Sequence, residues 1–333
     1  MNEVTPGPRF GATSGPRPEA IKAVPVRHPW RWVAAVVVLA VTAQVIYTIL
    51  VEAGLKWEVI GHFLFQRLIL GGLLVTLQLT VLAMVIGVML GIILAVMRIS
   101  PNPVVSWVSW VYIWFFRGTP VLVQIFFWFN LNLVLPHITV GIAGTPLYWR
   151  GPGTNSLITP FVAALLGLGL NEAAYMAEIV RAGIISVDQG QTEAAQALGM
   201  TRTLVMRRIV LPQAMRVIIP PTGNETISML KTSSLAFVAA VPELFTRGNQ
   251  IASANFDVVE LIFVVSIWYL AMTSILTVGQ FYLERYFARG SQRELPATPI
   301  QRFRRMLFTG HLSPPGTDGV TAPGPVAPHS EHR

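Results

Sequence analysis

From Leu68 to Met97 the chain runs for thirty residues without a charge. A membrane-crossing helix needs roughly 20 apolar residues, so this stretch is long enough to span a bilayer. Two more runs behave alike: 33–51 has nineteen uncharged residues, and 261–283 is also free of charge. The whole chain is 53% hydrophobic and 12% charged, against roughly 25% charged in a soluble domain. The expected class is an all-α polytopic membrane protein. The net charge of +8 sits mainly in basic residues at the chain ends and in one internal stretch, which points to topology rather than to nucleic acid. Cysteine is absent, so disulfides and thiolate metal sites are excluded.

In chain order, residues 1–32 are rich in Pro, Gly and Arg and read as a disordered cytoplasmic tail. Arg27 and Arg31 hold the start of the 33–51 span inside, and the long tail argues against a cleaved signal peptide. The 68–97 run returns inward, ending at Arg98-Ile99-Ser100-Pro101, with Gly87 and Gly91 placed for close helix packing. A span from about 104 to 135 is too long for one straight crossing and breaks at Arg117-Gly118-Thr119-Pro120. The segment 137–156 reads as an external loop suited to a binding protein. Residues 157–187 cross inward, 222–241 cross outward after Pro220-Pro221, 242–256 form a short external loop, and 261–283 cross inward. The tail 287–333 is basic and disordered. Six spans with both termini cytoplasmic result, and the five basic residues before the first span and seven after the last agree with this.

Between these spans lies a polar, basic insert, residues 193–212, EAAQALGMTRTLVMRRIVLP. Thr192 is placed to cap a short helix starting at Glu193, Gly199 to end it, and Thr201 to cap a second that Pro212 closes. Ala194, Ala195 and Ala197 keep the first helix slim. Gly199 lets the chain turn where a side chain would clash, and Glu193 sets a negative charge on the positive end of that helix. An ordinary cytoplasmic loop is one alternative. A helix-turn-helix is another, since Arg202, Arg207 and Arg208 suit phosphate, but tethering between spans leaves it little freedom to reach a groove.

The spacing Glu193-Ala194-Ala195, Gly199, Ile209-x-Leu211-Pro212 resembles the EAA loop of ABC importer permeases, the cytoplasmic elbow that docks onto the ATPase. Five segments extend the likeness: Phe116-Arg117-Gly118-Thr119-Pro120, Ala174-Tyr175-x-x-Glu178-Ile179-x-Arg181-Ala182-Gly183-Ile184, Gly190-Gln191-x-Glu193-Ala194-Ala195, Leu211-Pro212-Gln213-Ala214, and Lys231-Thr232-Ser233-Ser234-Leu235. From about 68 to 286 the chain resembles the permeases of polar amino acid importers, the histidine and glutamine group. Thr232 departs from the Asp or Asn common in that family, and the 33–51 span lies outside its five-span core. The resemblance implies a type I permease fold in a bacterial cell membrane and a transporter subunit without catalysis of its own. It also implies two ATPase subunits that hold ATP and Mg, an extracellular or periplasmic amino-acid-binding protein, and a second permease, the same chain or a sibling. Lipid surrounds it, and neither nucleic acid nor a cofactor of its own is expected. The sequence has no G-x-x-x-x-G-K-[ST] phosphate loop, in keeping with ATP held by a partner.

Candidate substrate residues follow from charges inside apolar runs. Arg117 lies about thirteen residues into its span, roughly 20 Å deep at 1.5 Å per residue. Thr119 as N-cap and Pro120 as first helical residue would begin a half helix whose free N–H groups, beside Gly118, join the guanidinium in holding a substrate carboxylate. Arg117 would equally tie helices by pairing with Glu172, Glu178 or Glu225. Asn171 and Glu172, with Tyr175 on the same segment, suit a substrate ammonium or a cationic side chain, or else helix pairing. Lys231, Thr232, Ser233 and Ser234 supply donors for substrate or for neighbouring helices. Glu178 and Arg181, three apart, read as a structural pair. A different class, an autonomous ion-coupled carrier or channel, would use Glu172, Glu178 and Arg117 as a relay. A membrane-tethered DNA regulator would instead use 193–212.

Overall fold

The computed structural model describes residues 29–52, 54–141 and 149–287. The tails at 1–28 and 288–333 lie outside the described residues. The chain forms two compact units, Met1–Lys56 and Trp57–Arg333.

In the first unit, α1 (Pro29–Tyr47) opens on a proline, whose missing N–H costs nothing in a first turn, and passes into a π-helical turn at Thr48–Glu52. It starts four residues before the expected 33–51 span. Its valines and leucines are exposed throughout, as on a helix whose solvent is hydrocarbon.

The second unit begins with α2 (Trp57–Leu64) and is built on α3 (Arg67–Ile99), about 50 Å long. α4 (Pro103–Gly118) and α5 (Val121–Phe129) follow, bent by 98° at the expected break. The segment expected to form an external loop is structured beyond expectation. After α6 (Leu131–Val134), β1 (His137–Val140) pairs antiparallel with β2 (Trp149–Gly153), and α7 (Thr154–Leu157) leads into α8 (Pro160–Ile185). Residues 142–148 of that segment lie outside the described residues.

α3 and α8 pack along their lengths through small residues. A Cβ on Gly91 would stand 2.5 Å from Met176 Cβ and 3.1 Å from the Ala173 carbonyl, and one on Gly87 would collide with Glu172. Gly167 meets Ile125 of α5 in the same way, at 2.5 Å. Lipid offers no hydrophobic drive for helices to associate, so close backbone approach with dispersion contact takes that role.

Beyond α8 come α9 (Gln189–Ala197), α10 (Arg202–Val205), a π-turn at Met206–Val210, and α11 (Leu211–Thr232). Pro220 and Pro221 sit inside α11, not before a new span at 222; intramembrane helices tolerate proline where neighbours supply compensating bonds. α11 tightens to a 3₁₀ turn at Ser233–Ala239. The expected loop 242–256 is mostly α12 (Leu244–Asn255), and α13 (Val258–Phe287) follows. Among the described residues, four helices are long and apolar enough to cross a membrane, six if each of the two bent pairs counts as one span.

Candidate functional site

The insert folds as an elbow, with different ends from those expected. Asp188, not Thr192, caps α9, its Oδ1 accepting from the Gly190 N–H at 2.6 Å. Glu193 therefore stands a full turn inside the helix, and the acid at the positive end is Asp188. Gly199 ends α9 as expected: at φ +79° it lets the Met200 N–H reach the Ala195 carbonyl at 3.1 Å and its own N–H reach that of Gln196 at 2.9 Å. A Cβ there would meet nothing within 4 Å, so the glycine answers to its dihedral angle and not to a clash.

Thr201 caps α10 as expected, accepting from Leu204 N–H at 3.4 Å. Pro212 closes nothing. The π-turn shifts bonding so that the Leu211 N–H reaches Met206 O, which puts Pro212 in the first turn of α11, where no N–H is missed. Ala195 is buried against Val205 and Val210, with half-buried Ile209 alongside, so it seals the two arms together. The outer surface carries Glu193, Ala194, Ala197, Gly199, Leu211 and Pro212, with Leu198 84% exposed. Gln213 Nε2 spans the elbow to Gln191 Oε1 at 2.6 Å and to Ile209 O at 3.0 Å.

The second group gathers at the α4–α5 break. The N-cap of α5 is Pro120, one residue later than expected, and Thr119 turns its hydroxyl back to the Phe115 carbonyl at 2.9 Å. Gln124 Nε2 donates to Phe116 O, Thr119 O and Thr119 Oγ1, and Asn171 Nδ2 donates to Phe116 O at 2.8 Å. The bend at Gly118 is thus stitched by side chains from α5 and α8. Asn171 is spent on this bond.

Arg117 caps the group, its guanidinium carbon 5.2 Å from the centre of the Tyr175 ring, a cation–π distance. Among the described residues no carboxylate lies within ion-pair distance of it. Glu178 is instead paired with Arg181 at 2.7 Å. Glu172 is 4% exposed beside Gly87, and its Oε1 has no hydrogen-bond partner. The charge of Glu225 on α11 acts on Glu172, and that of Arg117 acts on Glu225, so the three form one electrostatic cluster.

Lys231 is exposed, Thr232 half-buried and Ser233 buried. The two serines bond their own helix, Ser233 to Leu230 O and Ser234 to Lys231 O, each at 2.7 Å, where α11 tightens to 3₁₀.

One hub escaped the sequence reading. Glu243, fully buried, caps α12: Oε1 accepts from Thr246 N–H at 2.6 Å and its hydroxyl at 2.8 Å, while Oε2 accepts from Phe245 N–H at 2.8 Å and the Tyr269 hydroxyl at 3.1 Å. Thr76 of α3 takes the Leu244 N–H at 3.1 Å. A lone acid three residues before a threonine, after the charge-free stretch 232–242, was the available signal.

The profile described as "Binding-protein-dependent transport system inner membrane component" matches residues 87–289. The chain belongs to that family. This permease is 49% identical over 303 residues to a Corynebacterium glutamicum protein named arginine transport system permease protein ArgU, across 90% of this chain and 92% of that one. A solved structure described as an amino acid ABC transporter with histidines superposes at TM-score 0.56 and 36% identity, covering 66% of the permease and 94% of that chain. An inward-facing MetNI methionine ABC transporter chain at TM-score 0.52 and 19% identity shares the fold, covering 67% and 98%. The permease is thus the membrane subunit of an ABC amino acid importer with the type I importer fold.

Proposed function

We propose that this permease moves a cationic amino acid inward. The observation that supports it is the charge balance of the cluster. With both acids ionised, Arg117, Glu172 and Glu225 carry one formal negative charge between them, with a guanidinium lacking a carboxylate partner among the described residues and a buried carboxylate oxygen lacking any. An amino acid with a cationic side chain supplies the missing unit. Its carboxylate suits Arg117, backed by Tyr175 and the opened helix at Gly118-Thr119-Pro120, and its two cations suit the carboxylates. A neutral amino acid would leave one carboxylate uncompensated in a low-dielectric setting, which is costly. The name of the Corynebacterium relative points the same way. Asn171 frames the bend, and Lys231, Thr232 and Ser234 line the route on its outer side, while Ser233, fully buried, only holds its own helix turn.

The elbow at 193–212 receives the force. Two ATPase subunits, holding the ATP and Mg, dock on the surface of Glu193, Ala194, Gly199, Leu211 and Pro212, while Ala195 and Ile209 keep the elbow rigid. A second permease, the same chain or a sibling, completes the path, and a binding protein delivers the substrate to the outer face. Both termini are cytoplasmic. In vesicles holding the complete importer, labelled L-arginine should enter only with ATP. Glu172→Gln should lower kcat/KM for L-arginine about a hundredfold or more, since unpairing a buried charge costs about 3–5 kcal/mol, and should spare L-glutamine. Equal loss for both substrates would reduce Glu172 to helix packing.

A further inference from the structure

A cavity of about 360 Å³ opens between the end of α11, α12 and the first half of α13. Its lining is mostly apolar with a few polar groups, the usual make-up of a small-molecule site, and its size is at the lower end of the roughly 300–1,000 Å³ such sites occupy. It follows α13 from Val258 to Tyr269, eleven residues or about 17 Å, from the helix end to near the middle of a bilayer. Lys231 is its one charged lining residue, with Ser234, Asn249, Ser266 and Tyr269 as further polar groups. Among the described residues no carboxylate lies within ion-pair distance of Lys231. Glu243, behind Tyr269, is not its counter-ion, because both oxygens are taken by backbone and hydroxyl donors. An exposed ammonium at that depth calls for an anion or for water.

We propose that this cavity is a receiving subsite that takes the carboxylate of the incoming amino acid on Lys231 before the central cluster does. It rests on the reading of the chain as a cationic amino acid permease with α13 starting at the outer face. The cavity lacks an acid, so it selects the carboxylate end, and the apolar wall of Phe245 and Val265 accepts the aliphatic part of the side chain. Lys231 lies six residues, about 9 Å, beyond Glu225 along α11. The substrate therefore arrives carboxylate first, and Arg117 takes over that group while the cationic end reaches Glu225 and Glu172.

The test is equilibrium binding of labelled L-arginine to the purified importer complex, held with ATP in a hydrolysis-deficient ATPase background. The wild type should bind two molecules per permease chain, and Lys231→Met and Arg117→Ala one each. Ser266→Leu, which fills the cavity without touching its charge, should behave like Lys231→Met. In the hydrolysis-competent complex, Lys231→Met should raise KM about tenfold with kcat kept. One molecule per chain, lost in Arg117→Ala and kept in Lys231→Met, overturns the subsite and leaves the central reading standing. One molecule lost in Lys231→Met but kept in Arg117→Ala supports the cavity and removes the central reading. A phospholipid that copurifies with the wild type and not with Lys231→Met, seen by native mass spectrometry, makes the anion a lipid and also overturns the proposal.

Discussion

Two glycines show how different the reasons for one residue type are. Gly91 has no room: the Ala173 carbonyl and Ala177 amide stand 3.1 Å from where a Cβ would be, and backbone atoms do not yield. Gly91→Leu should cost more than the ~1–3 kcal/mol of ordinary overpacking, while Gly71→Leu, with nothing within 4 Å, should be tolerated; thermal denaturation in detergent separates them. Gly199 has room and needs its dihedral angle instead. Asn, which adopts that angle readily, should keep uptake at Gly199. Under the proposed docking, Gly199→Trp should leave insertion intact and abolish ATP-coupled uptake, because it both strains the +79° dihedral angle and fills space that a docked ATPase would need. Normal uptake in Gly199→Trp would remove docking at this surface. Glu243 carries a third kind of weight. Glu243→Ala unpairs the N–H groups of Phe245 and Thr246 and the Tyr269 hydroxyl at once, at about 1–3 kcal/mol each where buried. Its melting temperature should fall well below that of Glu243→Gln, which keeps an oxygen for those donors.

At the scale of elements, the elbow is one rigid body. α9 is tied to α11 through Gln213 and Gln191, and α10 enters α11 through the π-turn, so under the proposed docking a push on α9 would pass into α11 through these bonds. Glu193→Lys reverses a charge on the exposed face without touching the Ala195 seal. It should weaken recovery of the ATPase with the purified permease and leave the unfolding free energy of the isolated permease within about 0.5 kcal/mol of wild type. Retained ATPase with Glu193→Lys would place the docking surface elsewhere. The bent pair α4–α5 is the opposite case. Its 98° turn leaves the Phe116 carbonyl in the last turn of α4, where Pro120 has no N–H to give it, and the Thr119 carbonyl between the two helices, and Gln124 and Asn171 answer them.

At the scale of the molecule, the apolar runs foretold helices long enough to cross, because hydrocarbon rewards length and absence of charge and little else. The elbow was legible for the same reason that Gly199 and Thr201 are: caps and positive φ act within a few residues. What the linear pattern misplaced were features set by bonds to distant residues. Pro212 and Pro220 looked like helix ends, yet a shifted bonding register and membrane neighbours carry the chain through them. Thr119 looked like a cap, yet it bonds backward while Gln124 takes its place at the bend. Glu243 looked like one acid in a loop, because its partners Thr76 and Tyr269 lie 167 and 26 residues away. The sequence by itself therefore determined that this chain is a helical membrane permease with a two-armed polar elbow at 193–212, since local charge, length and capping decide those things. Only the tertiary structure decided that Arg117 faces Tyr175 and pairs with none of its candidate acids, that one oxygen of Glu172 stays unpartnered, and that Lys231 lines a cavity, since each depends on which helices meet and at what depth.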